Sequence, residues 1–480
     1  MDILLVTPEL APYAQASRAG DSVAALAKAL GQLEHRVTIA VPRYPGFETG
    51  GLLAARRLTP LKLEGGAQVT VLDGQLPSGP TLVLFDAPGQ FDRPGVYGEK
   101  EDYADNAERF GLLSKAAVAL VQQRAERGEP FDVVHLADAA TAAAAVPLRR
   151  LAARPAIVVG VHDGSRRGVV PEEFLGLFGI DPTSLDLGPS REKGGVSLLA
   201  LGAEAADAVT AVSPALATDL SDSKRFGALA SVVARRPSTV FGVLSGLDYA
   251  VFNPATDPAL KARFDAEDPS NKGRSKADLL RTGGLDVDTD RPLVVAILEA
   301  GPGGGGDLLV DVLTPLLKND VSLAVVARGD EKVVERLSAA SDEFSDRFFV
   351  EPHGDETFLR KASAAADIVF LPGEYDPTGL WARIAQRYGA LPVARATGAH
   401  VDAVVDCDAE LETGTGFLFD DPRPDAAIGA LARALAAYDS GRWPVLRRRV
   451  MRLDLSWDRP ARRYVQVYRQ AAAARPRGGT

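Results

Sequence analysis

Short, continuous apolar runs alternate with stretches of helical periodicity along nearly the whole chain. Residues 3–6 form the first such run, as expected for a strand buried on both faces of a parallel sheet. After a loop, Val23, Leu26, Ala27, Leu30 and Leu33 recur at helical spacing. Residues 37–41 predict the next strand, and further strand-like runs lie at 131–134, 157–161 and 208–212. A second alternating set begins at Leu293, with runs at 293–298, 322–327, 348–350, 368–371 and 391–394. Strands alternating with helices predict an α/β protein of two Rossmann-like, doubly wound domains. The boundaries expected are residues 1–248 for the first domain and 276–458 for the second. Residues 249–275, rich in Pro, Asp, Asn and Lys, read as a linker. Residues 459–480 read as a terminal helix with a frayed tail.

Composition narrows the possibilities. A chain of 480 residues with 46% apolar content can bury a core in each half. A net charge of −10, with no basic stripe, argues against a nucleic-acid partner. The single cysteine, Cys407, rules out an internal disulfide or a cysteine-rich metal centre. Five scattered histidines show no metal-ligand spacing, so neither a metal nor a cofactor is expected. The N-terminal residues lack a basic region and read as a strand rather than a signal peptide. No apolar stretch approaches the ~18 residues of a membrane span, so a cytoplasmic location is expected. A nicotinamide-dependent dehydrogenase is disfavoured, because no Gly-x-Gly-x-x-Gly follows the first strand.

Several strings are specific. They include Thr7-Pro-Glu-Leu-Ala-Pro-Tyr, Phe91-Asp-Arg-Pro-Gly-Val-Tyr-Gly, Tyr103-Ala-Asp-Asn-Ala-Glu-Arg-Phe, Ala206-Asp-Ala-Val-Thr-Ala-Val-Ser-Pro and Gly246-Leu-Asp-Tyr-Ala-Val-Phe-Asn-Pro. Asp376-Pro-Thr-Gly-Leu, Arg387-Tyr-Gly and Gly414-Thr-Gly-Phe follow in the second half. In this order the strings resemble the ADP-glucose-dependent bacterial glycogen and starch synthases, retaining glucosyltransferases of the GT-B fold. The resemblance implies two domains facing across a cleft, with ADP-glucose or another nucleotide sugar and α-glucan as ligands.

The polar motifs depart from that family. Its first loop, Lys-Thr-Gly-Gly-Leu, is here Gln15-Ala-Ser-Arg18-Ala, so the lysine and both glycines are gone. Asp21 survives, either as a donor-site residue or as an acid favoured in the first turn of a helix. The family's His-Ala-His-Asp-Trp-His becomes His135-Leu-Ala-Asp138-Ala139-Ala140, which removes the tryptophan and the cleft histidine. His135 reads as structural. Ile-His-Asn becomes Val161-His162-Asp163, and the following loop gains Arg166 and Arg167, either anion ligands or solvated surface. The arginine and lysine that the family places on the diphosphate are Glu299 and Gly304. The run from Gly301 to Gly306 lacks the lysine and spacing of a phosphate loop and reads as a relaxed loop. The acidic turn Glu-Pro-Cys-Gly-Leu is shortened by a methylene at Asp376, and Thr-Gly-Gly-Leu is Thr397-Gly398-Ala399-His400.

By resemblance, Asp376, Asp138 and His162 are the catalytic candidates. Gly379, Leu380, Thr397, Gly398 and Asp21 are the nucleotide-sugar candidates. Intact folding strings beside altered polar ones imply a glycogen synthase-like protein with impaired or lost glucosyl transfer and a binding or regulatory role. A true synthase subunit is one conceivable partner. The alternative is an active retaining glycosyltransferase in which Arg18, Arg166 or Arg167 replaces the missing cations.

Overall fold

The computed structural model describes residues 1–298, 303–327 and 331–475. The chain forms two compact units: residues 1–246 with the chain from Trp457 onward, and residues 247–456. Among the described residues, no helix is long and apolar enough to cross a membrane.

The first unit is built on a ten-stranded sheet. Seven strands run parallel, in the spatial order Val240–Gly242, Ala208–Ala211, Ala156–Val161, Val133–Ala137, Asp2–Val6, Arg36–Pro42 and Thr81–Asp86. Their apolar runs are buried on both faces because helices cover both sides. Gln68–Gln75 and Ala54–Arg56 extend one side antiparallel. Neither these two nor Thr81–Asp86 and Val240–Gly242 is among the strands expected from the sequence; Gln68–Gln75 mixes buried and exposed positions. The helix Arg18–Gln32 buries Val23, Leu26, Ala27 and Leu30 as its spacing requires.

The second unit has a six-stranded parallel sheet in the order Phe348–Glu351, Ser322–Ala327, Leu293–Leu298, Ile368–Leu371, Leu391–Arg395 and Phe417–Phe419. Leu293–Leu298 feeds two cores at once. Val294, Ala296 and Leu298 face one layer of helices, and Leu293, Val295 and Ile297 face the other.

Two boundaries differ from those read in the sequence. The stretch 249–275 is built into the second unit instead of hanging between units. Arg387 stacks on Tyr249, 4.2 Å from its ring centre, and donates to Asn253. Buried Lys272 donates to the carbonyls of Ala364 and Tyr388 at 2.9 and 2.8 Å. Polar composition signals a linker only when the polar groups remain in water, and here they tie helices together. The terminal helix Asp458–Ala473 returns to the first unit, where Tyr464 and Tyr468 are buried.

That return encloses His135. Its Nδ1 lies 2.7 Å from the Tyr468 hydroxyl and its Nε2 lies 3.4 Å from that of Thr210. Burial, helped by nearby His162, pulls its pKa down to about 3. Below pH ~6.5 the unfolded chain takes up a proton at this residue that the folded chain refuses, so stability falls as pH drops. Between pH 7 and 5 this residue alone is expected to cost roughly 2 kcal/mol. Denaturant titrations at both pH values should show that extra slope in the wild type and lose it in His135→Gln.

Candidate functional site

The candidate residues lie beyond the carboxyl ends of parallel strands, where open α/β sheets bind ligands. In the first unit, Asp138 follows the strand Val133–Ala137 and His162 follows Ala156–Val161. These strands are neighbours in register, so residues 24 apart in sequence meet. Asp138 Oδ1 accepts from the His162 backbone N–H at 2.9 Å, and Oδ2 lies 2.7 Å from the ring Nδ1. A carboxylate only accepts, so Nδ1 carries the proton and Nε2 is left for a ligand. Burial by itself would lower the His162 pKa, but the Asp138 carboxylate, with Glu9 and Asp163 behind it, raises it above its ordinary value. Asp138 holds φ 57° and ψ −173°, a region otherwise reserved for glycine. Such backbone strain costs about 1–3 kcal/mol and persists only where the surroundings enforce it.

The couple lines a cavity of about 490 Å³ made entirely by the first unit. Glu9, Tyr97, Asp102 and Arg166 also line it. Glu9 is not among the residues that the sequence motifs single out, because only the folded loop brings it to this wall. It is buried, and its carboxylate accepts from the backbone N–H of Ala16 and Ser17 at 2.8 and 2.7 Å, and from the Ser17 hydroxyl at 2.7 Å. The loop that resembles a donor-binding turn thus gives these amides to a protein carboxylate.

The three arginines separate. Arg166 lies on the cavity wall, 4.3 Å from the centre of the Tyr97 ring, and pairs with Asp102 at 2.6 Å. Arg167 is not on that wall. It pairs with Glu192 at 2.9 Å and donates to the carbonyl of Arg225. Arg18 pairs with Asp21 at 3.3 Å, and Gln15 donates to the same carboxylate at 2.6 Å. Asp21 sits in the first turn of Arg18–Gln32, the dipole-favoured place.

In the second unit, the acidic turn and the turn after Leu391–Arg395 are stitched together. Asp376 Oδ1 accepts from the N–H of Thr378 and Gly379 at 2.7 and 2.9 Å and from the Thr378 hydroxyl at 2.8 Å. Oδ2 lies 3.5 Å from Nε2 of buried His400, whose Nδ1 donates to the carbonyl of Arg395. Burial would raise the Asp376 pKa, but His400 and the Thr378 donors hold it well below the usual carboxylate range. Ala399 N–H donates to the Asp376 carbonyl at 2.7 Å. Gly398, at φ 53°, runs so close that a Cβ would stand 2.2 Å from that oxygen. Gly379 precedes the helix Leu380–Arg387, and the Leu380 N–H is taken by the Thr378 hydroxyl at 3.2 Å. The amides of Gly379 and Leu380 therefore build the turn. Thr397 precedes Gly398 in the second turn.

Glu299, one of the two positions where the resemblance expects a cation on the diphosphate, lies outside the described residues, as do Gly301 and Pro302. Gly303–Gly306 is described and is not a slack run. Gly305 takes φ 90°, and a Cβ there would come 2.6 Å from the Pro372 carbonyl carbon; Glu374 N–H donates to the Gly303 carbonyl at 2.7 Å. Close packing against residues 372–374 requires glycine there. Gly304 brings no charge to it.

Two units built on parallel sheets, with motif residues beyond the strand ends, have the architecture of GT-B glycosyltransferases. A family model described as the starch synthase catalytic domain matches residues 2–235. A glycogen synthase from Anaeromyxobacter sp. (strain Fw109-5) is 34% identical over 98% of this chain and 100% of its own length. Another from Syntrophotalea carbinolica is 32% identical over 98% and 99%. The chain belongs to the glycogen and starch synthase family. Among solved structures it is similar to the catalytic domain of Arabidopsis thaliana starch synthase IV bound to ADP and acarbose, with TM-score 0.88, 26% identity and coverage of 98% and 99%. A sucrose-phosphate synthase from Thermosynechococcus elongatus, at TM-score 0.60 and 17% identity, shares the fold.

Proposed function

We propose that the protein is an active retaining glucosyltransferase that moves glucose from a nucleotide sugar, ADP-glucose in the first instance, to an α-1,4-glucan. The carrying observation is the Asp138–His162 couple, held on a cavity wall by a strained backbone and by carboxylates that favour the charged imidazole. Backbone strain of this kind clusters at active sites and ligand clamps. The reading is also supported by full-length similarity to glycogen synthases and by a solved relative holding ADP and acarbose.

On this reading each residue has a defined task. His162 presents Nε2 to a hydroxyl of the transferred or accepting sugar, and Asp138 fixes its tautomer and orientation. Asp376, kept ionised, faces sugar hydroxyls with its Oδ2 edge. The turn Thr397–Gly398 and the start of Leu380–Arg387 form the nucleotide side. Arg166, on the cavity wall, is the one of the three arginines placed to supplement charge at a ligand.

The test is glucosyl transfer to glycogen from ADP-glucose and from UDP-glucose, beside calorimetry with ADP. Incorporation into α-1,4-linked product is expected, with ADP-glucose preferred. ADP binding with no incorporation from either donor would sink the proposal. It would return the reading of a binding or regulatory protein, in which Glu299 and Gly304 mark lost chemistry and a synthase subunit becomes the partner to seek.

A further inference from the structure

Most polar groups around the first unit's cavity already have partners within its wall. Glu9 is occupied by the Ala16–Ser17 loop. Asp163 accepts from the Ser165 N–H and hydroxyl at 3.1 and 2.6 Å. Asn106 donates to the Tyr97 carbonyl at 2.8 Å and accepts from Arg109 at 2.6 Å. Asp102 is paired with Arg166, and Asp138 commits both oxygens to His162. The donors on this wall that can turn to a ligand include the His162 Nε2, the Tyr97 hydroxyl and the Arg166 N–H groups that do not face Asp102.

The remaining wall is largely hydrocarbon, including Ala139, Ala140, Val169, Phe178 and Leu198, with Phe174 37% exposed. Ala139 and Ala140 stand where the resemblance places an indole and an imidazole. Two methyl groups therefore replace a stacking surface and a hydrogen-bonding ring. An unmodified sugar carries hydroxyls on every side. Those that face the apolar patch of Ala139, Ala140, Val169, Phe178 and Leu198 would leave water without a partner, which lowers affinity. A ligand with a short polar edge and an apolar body meets both halves of the cavity.

We infer that this cavity selects an α-glucoside bearing an apolar aryl or alkyl substituent over the unsubstituted sugar. The sugar half of the inference rests on the proposed glucan acceptor. The apolar half rests on the cavity wall alone.

The experiment is calorimetric titration of the full chain with 4-nitrophenyl α-maltoside and with maltose, no donor present. The aryl glycoside is expected to bind at least about tenfold more tightly, the gain from burying a ring in a preformed apolar site. Ala140→His and Ala139→Trp, made separately and checked for native melting, should each reduce that ratio to about threefold or less. Equal affinities in the wild type would overturn the inference. So would a ratio that both variants leave unchanged, because the ring would then be binding elsewhere. Should Ala139→Trp fail to fold, Ala140→His alone decides, since it adds a smaller ring. The outcome is separable from catalysis. A tenfold ratio in a protein without transfer would end the proposed activity and keep this inference. Transfer with a ratio near one would do the reverse.

Discussion

Asp376→Asn is expected to lower glucosyl transfer by about 10²–10³-fold while leaving the fold nearly intact, in line with loss of one preorganised electrostatic group. Oδ1 holds the turn through two backbone N–H groups and one hydroxyl, and an asparagine oxygen can keep those bonds. The loss falls on Oδ2, where an uncharged NH₂ would then face His400 and the site. His400 Nδ1 is committed to the Arg395 carbonyl, so the ring cannot turn to compensate. Steady-state kinetics should show the loss in kcat, with ADP affinity changed less than about tenfold. Asp376→Ala goes further. It abandons three donors, and thermal or denaturant unfolding should register a further ~1–3 kcal/mol. Near-wild-type transfer by Asp376→Asn would remove this residue from the catalytic set.

Asp138→Asn is the second large effect, about 10²-fold in transfer. The Asp138 carboxylate is what keeps the His162 pKa above its ordinary value despite burial. Without it, burial prevails and the histidine titrates lower. Five histidines make the imidazole NMR spectrum simple enough to follow one ring. The His162 midpoint is expected to fall in the variant, and the alkaline limb of kcat/KM to move to lower pH with it. Stability follows the same logic. The pair's contribution is fully present below the unfolded histidine value of ~6.5 and is lost as pH rises through the elevated folded value. The variant should therefore lose more stability at pH 6 than at pH 9, by about 1–3 kcal/mol. An unchanged His162 midpoint would show that Asp138 does not act through the ring.

Much of the frame was legible in the chain. Apolar runs such as Leu293–Leu298 and Ala156–Val161 are too short for helices and too continuous for a half-exposed sheet, so burial between helix layers was the reading left. The edge strand Gln68–Gln75 was not legible, because a partly solvated antiparallel strand mixes polar and apolar residues as a loop does. His135 read as structural from its place in a strand, but only the returning Tyr468 shows what buries it. The polar stretch 249–275 misled because composition does not say whether an asparagine faces water or an arginine.

The sequence determined most of the buried parallel strands, the motifs that stand at their ends, and that Ala139, Ala140, Gly304 and Asp376 depart from the family's polar residues. These follow from local periodicity and from residue identity, which need no partner. Tertiary structure decided the pairings. Strand register brings Asp138 to His162, a loop closes on Glu9, His400 reaches Asp376, and Arg166, Arg167 and Arg18 go to three different carboxylates. Charge and hydrogen bonding act over a few ångströms between residues far apart in the chain, so the chemistry of the site exists only once the sheets have set those distances.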